Sequence, residues 1–270
     1  MFAVRTLTAA ALIAGFLAAV LLLERAVFAV LIGAVLGWAA WEWAALSGLR
    51  GWRAAAYSVA CTFLYAIVAW SSWPPSVRAQ QVLGTLVVAA AFWLLLAPIL
   101  LWRGTARQID LPFSGVLVLV PTGLTAAGLP AALLLSVLGL VWVSDTAAYL
   151  VGRKFGRHKL APKISPGKTV EGAAGAIAAS LAYAVILALL MPDLGPPLQG
   201  LAWACYLAGA ALICVSGMLG DLFESWAKRQ AGVKDSGRVL PGHGGVLDRI
   251  DSACAALPFG ALLVAWWGAG

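Results

Sequence analysis

Asp248 and Asp251 stand three residues apart in the stretch LDRID. On a helix that spacing puts both carboxylates on one face. Either one alone is an ordinary first-turn acid, favoured by about 0.3–1 kcal/mol against the helix dipole. That account does not explain why both point together beside His243, Gly244, Gly245 and Arg249. Upstream, Asp221, Glu224 and Lys228 follow at intervals of three and four, so all three share a second helical face. Asp145 lies in VWVSDTAAYL, deep in an apolar run. A carboxylate at membrane depth costs about 2.5–3.5 kcal/mol and marks a functional position by default. Acids brought together from several helix ends would repel one another unless a hard cation sat among them. Mg2+ suits such a place, since it takes one or two carboxylates and fills its remaining positions with water and phosphate oxygens. Asp248 and Asp251 from one helix, with Asp145 and Asp221 from the ends of two others, would make such an oxygen cage.

Basic residues surround these acids. Lys228, Arg229, Lys234, Arg238 and Arg249 crowd between Ser225 and Asp251, with the turn Pro241-Gly242-His243-Gly244-Gly245 among them. Glycines let a backbone come close to a phosphate. His243 could be a ligand, a proton donor or a loop hydrogen-bonder. A second polar stretch, GRKFGRHKLAPKISPGKTVEG, carries Ser165 and Lys168 toward the start of an apolar run. Gly167-Lys168-Thr169 looks like the end of a P-loop, but Pro162 stands where the pattern requires its first glycine. What remains is a basic loop ahead of a helix N-terminus, which with Lys163 and Lys168 suits an anionic phosphate.

The rest of the chain must position these groups. It has 270 residues, 63% of them hydrophobic and 11% charged, where a soluble domain carries about 25% charge. A polytopic, all-α membrane protein follows. Nine apolar runs have roughly the length a bilayer requires: 7–23, 26–46, 54–70, 81–101, 113–128, 130–152, 171–191, 199–219 and 252–269. The run 113–128 is short and holds Pro121 and Gly123, so a broken or re-entrant segment is expected there. Residues 1–128 read as scaffold with dimer and lipid contacts. Residues 129–270 read as the catalytic region, with polar loops 153–170 and 220–251. Asp145 falls about 10 Å below the end of its run at Gly152. Nine spans leave Arg25 and Arg78 on one side and the other sixteen Lys and Arg on the opposite side. The positive-inside rule puts the N-terminus and all the polar chemistry in the cytoplasm. Glu42, between Trp41 and Trp43, is odd inside the second run; interfacial or helix-pairing roles are expected. Asp110 and Asp193 read as loop residues. Cys61, Cys205, Cys214 and Cys254 read as small buried hydrophobes with no metal-type spacing. Most tryptophans sit inside apolar runs, so the net charge of +7 reads as topology and not as nucleic-acid binding.

Ser225, Lys228-Arg229, Lys234-Asp235, Gly237, Leu240-Pro241, His243-Gly244-Gly245, Asp248-Arg249 and Asp251 together resemble the signature of the phosphatidate cytidylyltransferases. Ala227 departs from it, replacing a larger aliphatic. Ser144 to Tyr149, Ser165-Pro166-x-Lys168-Thr169-x-Glu171-Gly172 and Gly220-Asp221-x-x-Glu224-Ser225 resemble further parts of the same family. The resemblance is strong over about 140–252. It implies a membrane enzyme of a bacterial inner membrane that condenses CTP with phosphatidic acid, releasing pyrophosphate. It also implies Mg2+, a monovalent cation such as K+ beside it, and a homodimer. Asp221, Asp248 and Asp251 match positions near the family's metals, and Asp145 and Lys168 match positions near substrate. A CTP-dependent lipid kinase is the alternative enzyme, using the same groups to move the γ-phosphate. A transporter would need charge on both sides of the midplane and repeat symmetry, and the chain shows neither.

Overall fold

The computed structural model describes residues 2–70, 75–105, 110–194, 198–239, 242 and 244–267. The chain runs through α1 (Phe2–Leu22), α2 (Arg25–Leu46), α3 (Trp52–Ala69), α4 (Pro75–Ala91), a π-helical turn (Phe92–Leu96) and α5 (Ala97–Arg103). It continues through α6 (Asp110–Gly128), α7 (Ala131–Phe155), a hairpin of β1 (Lys159–Ala161) and β2 (Ser165–Thr169), α8 (Val170–Leu190), α9 (Leu201–Gln230) and α10 (Leu247–Trp267). Among the described residues, eight helices are long and apolar enough to cross a bilayer, with α4, the π turn and α5 together making one of them. They coincide with eight of the expected runs. The remaining run lies in α1, whose described apolar part is Ala10–Leu22. The protein is an integral membrane protein.

Local chemistry accounts for the breaks. Pro98 has no N–H to return to the preceding turn, and the wider π turn just before it absorbs that loss. The same turn brings Phe92 and Trp93 both into the core. Thr169 caps α8, its hydroxyl accepting the Gly172 N–H at 3.1 Å. Pro130 starts α7, and Gly104, with φ of 73°, ends α5.

The structure corrects the expectation for 113–128. This stretch belongs to one continuous helix, α6, which passes through Pro121 without a break. Its hydroxyls serve the backbone there: Thr125 donates to Pro121 O at 2.8 Å, and Thr122 donates to Val118 O at 2.6 Å and to Cys254 O on α10 at 3.1 Å. Thr122 thereby serves Cys254 O, the α10 carbonyl whose i+4 residue is Pro258 and has no N–H to give it. About 67% of the apolar window of α6 is buried, the largest share among the spans. It is the central post, packed against α2, α3, α4 and α10. The polar loops are also shorter than expected. The 153–170 stretch ends in an antiparallel hairpin, and α9 runs on to Gln230, so only 231–246 connects α9 to α10. Asp110 opens α6 instead of lying in a loop, and Asp193 lies in a 3-10 turn, Pro192–Leu194. All four cysteines are free; three are buried and Cys205 is half-buried.

Candidate active site

The last turns of α9 are anchored from behind. Phe223 lies against Trp43 of α2, Phe92 and Trp93 of the π turn, and Trp226, with ring centroids 5.1 to 6.2 Å apart. Trp43 is itself pinned, its Nε1 donating to Leu111 O at 2.7 Å. With that face buried, the helix turns Asp221, Glu224 and Lys228 toward α10 and the hairpin. Gly220 permits close contact between the two helices: a Cβ there would come within 2.5 Å of Asp251 O.

Two ionic groups result. In the inner one, Lys228 Nζ lies 2.6 Å from Glu224 Oε2 and 2.7 Å from Asp248 Oδ1, and the three side chains are 12%, 3% and 7% exposed. Asp248 Oδ2 accepts from Gly245 N at 2.8 Å, Ser236 N at 3.0 Å and Ser236 Oγ at 3.1 Å. Glu224 Oε1 is buried and has no hydrogen-bond partner among the described residues. It borders a small void that Asp251 also lines.

The outer group faces the open side. Lys168 Nζ, on β2, lies 2.8 Å from Asp221 Oδ2 and 3.5 Å from Met218 O. Ser225 Oγ lies 3.4 Å from Asp221 Oδ1. Asp145 projects from α7 uncovered by protein, 3.4 Å from the Ser252 hydroxyl, and Ser252 N donates to Asp251 Oδ1 at 2.8 Å. Asp145, Asp221 and Asp251 repel one another electrostatically. Asp221 and Asp145 thus face Lys168, and Asp251 has Lys228 as its cation.

The fold therefore gathers Asp145, Lys168, Asp221, Asp251, Lys228 and Asp248 at one end of α7, α9 and α10. Asp248 stands apart from Asp221, each committed to a different lysine. Among the described residues, no three His, Cys, Asp or Glu form a ready metal cage. Arg229 is exposed and donates to Ile164 O at 3.3 Å, tying α9 to the hairpin. Lys234 and Arg249 are exposed, and Ser165 is half-buried on β2. Gly244 and Gly245 have an internal reason to be glycine: a Cβ at Gly244 would meet Asp248 Oδ2, and one at Gly245 would meet Glu42 Oε2, each at 2.5 Å. His243 lies outside the described residues.

Two residues that the sequence reading did not place at the site belong to it. Ser236 contacts Asp248, and Glu42 reaches the same loop from α2. The signal for Glu42 was its presence: a carboxylate in an apolar helix requires partners, and no pattern in the chain names them.

A family model described as the cytidylyltransferase family matches residues 3–267. The chain belongs to this family. It is 42% identical to a phosphatidate cytidylyltransferase of Pseudomonas aeruginosa, over 98% of each chain. It is 48% identical to one of Haemophilus influenzae over 47% of this chain and 43% of that one. It is 47% identical to one of Staphylococcus haemolyticus over 44% of each. Family membership makes this protein a nucleotidyltransferase.

Proposed function

We propose that this protein is a phosphatidate cytidylyltransferase, joining CTP to phosphatidic acid to give CDP-diacylglycerol and pyrophosphate. Full-length similarity to the Pseudomonas enzyme supports the reaction. The observation that carries the chemistry is the facing set of Asp145, Asp221 and Asp251, with Lys168 beside the first two and Lys228 beside the third. An oxygen of the lipid phosphate attacks the α-phosphorus of CTP, and the bond to the β-phosphate oxygen breaks. A phosphate monoester is already nucleophilic near neutral pH, so no strong base is required. The protein's task is to hold two polyanions together and to offset the charge that develops. Lys168 does this at the mouth of the site, and the exposed Arg229, Lys234 and Arg249 offer further phosphate contacts.

The donor set fits Mg2+, because Asp221 and Asp251 supply the one or two hard oxygens that Mg2+ asks of a protein. When bound, the ion supplies charge neutralisation at the transferring phosphorus. Asp248, with Lys228 and three other donors already on it, would have to exchange partners to join. Glu224 Oε1, buried and without a hydrogen-bond partner among the described residues, is an oxygen available to a monovalent cation. The sixteen basic residues on one side of the span pattern support a site facing the cytoplasm, with CTP arriving from water and the lipid entering between helices. Pairing of two copies rests on the family resemblance.

The test uses purified protein with phosphatidic acid, Mg2+ and CTP labelled separately at the α- and γ-phosphorus. Label from the α-position should enter the lipid while γ-label leaves as pyrophosphate. Entry of γ-label into the lipid would make the protein a kinase.

A further inference from the structure

Glu42 lies in the last turns of α2, four residues before its end at Leu46, and is 3% exposed. Its Oε1 accepts from Val246 N at 3.0 Å and from Trp38 Nε1 at 3.3 Å. Its Oε2 accepts from Leu247 N at 2.9 Å and lies 3.0 Å from Ser236 Oγ, whose single proton it shares with Asp248 Oδ2. Among the described residues, no cation pairs with it. All its partners are neutral N–H and O–H groups, and a carboxylate is the one side chain that only accepts at all four of those positions.

These partners are specific to the site. Leu247 opens α10, and the first N–H groups of a helix have no partner within it. Glu42 supplies that partner from another helix, and its negative charge suits the positive end of the α10 dipole. Ser236 Oγ lies between two carboxylates, 3.0 Å from Glu42 Oε2 and 3.1 Å from Asp248 Oδ2. Two glycines make room: a Cβ at Gly237 would collide with Glu42 Oε1, and one at Gly245 would collide with Ser236 Oγ and Glu42 Oε2. The loop is thus built around this carboxylate, which is enclosed and out of reach of substrate.

We propose that Glu42 is a positioning residue for cytidylyl transfer: it sets the 236–247 loop and the start of α10, and through Ser236 and Leu247 it fixes where Asp248 and Asp251 stand. The kinetic part rests on the function proposed above; the structural part does not.

In Glu42→Gln the amide NH2 must face a backbone donor: in the Oε1 place it loses Val246 N and Trp38 Nε1, and in the Oε2 place it loses Leu247 N while the Ser236 hydroxyl can accept from it. Three measurements test the proposal. Hydrogen exchange in peptides covering 234–248 should speed up in Glu42→Gln, while the membrane helices stay protected. The kcat per folded molecule should fall about 10–100-fold, the range for residues that orient a catalytic group, with the KM for CTP little changed. Ser236→Ala cuts the link to Asp248 but leaves the helix start capped. It should also lower kcat, and combined with Glu42→Gln it should do little further damage, because the two act through one link. A role in stability alone predicts a lower melting temperature with unchanged kcat per folded molecule, and that result overturns the proposal. Unchanged exchange in 234–248 overturns it as well. If Glu42→Gln fails to fold, Ser236→Ala decides: normal kcat in that variant ends the proposal. If the wild-type protein fails to transfer cytidylate from CTP, the function proposed above fails, and the exchange result still decides the structural part.

Discussion

The two lysines of the site are not equivalent. Lys168 and Asp221 form a partly exposed pair, 23% and 31% accessible. Such pairs are worth about 0–1 kcal/mol. Asp221→Asn should therefore leave the melting temperature nearly unchanged while lowering turnover about a hundredfold or more, since the loss falls on transition-state charge. Lys228 is different, because it holds two acids that are 3% and 7% exposed. Removing one partner of a buried ionic group costs about 3–5 kcal/mol. Lys228→Met should unfold readily in a detergent melt, and adding Glu224→Gln should recover part of the loss. A stable Lys228→Met would show that the inner group contributes little. The chain displays the spacing of Asp221, Glu224 and Lys228 openly, and the helix is there. It does not display which acid each lysine takes, because Lys168–Asp221 and Lys228–Asp248 are long-range contacts that no local period encodes.

At the level of elements, the contact of α9 with α10 sets the separation of the acids. A Cβ at Gly220 would lie 2.5 Å from Asp251 O, a backbone atom that cannot swing aside. A Cβ at Gly217, one turn earlier, would stay 3.6 Å from its nearest neighbour, Ser252 O. Gly220→Ala should push the start of α10 away from Asp221 and cut turnover at least about tenfold, whereas Gly217→Ala should keep near-normal activity. Equal effects of the two would remove the helix contact from the account. The apolar runs were legible because a bilayer demands about 20 such residues whatever the fold. The continuity of α6 was not, because Pro121 breaks helices in general. Here buried hydroxyls and the packing of α2, α3 and α10 override that tendency. The hairpin 159–169 was equally hidden in a stretch that reads as basic and loop-forming.

On the scale of the whole molecule, nearly all the charge collects at one end of the bundle. Lys159 on β1 and Gln199 before α9 are both exposed at opposite ends of α8. Single cysteines at these positions, in a background without the native four, should label from opposite faces of a sealed membrane vesicle. Lys159→Cys should react on the cytoplasmic face. Labelling of both from one face would overturn the proposed orientation.

Glu42 gives the molecule an order of assembly. Its carboxylate enters the membrane with the second helix, yet Ser236, Val246 and Leu247 lie 194, 204 and 205 residues further along the chain. Throughout most of synthesis this acid has only Trp38 of its own helix as a partner, and the three groups that will bind it from the loop and α10 are not yet made. The debt is discharged only when the last helix docks. A ribosome that stalls before α10 therefore leaves a product marked by an exposed grievance in its interior, one that membrane proteases or water can find. The arrival of α10 and the completion of the site are the same event.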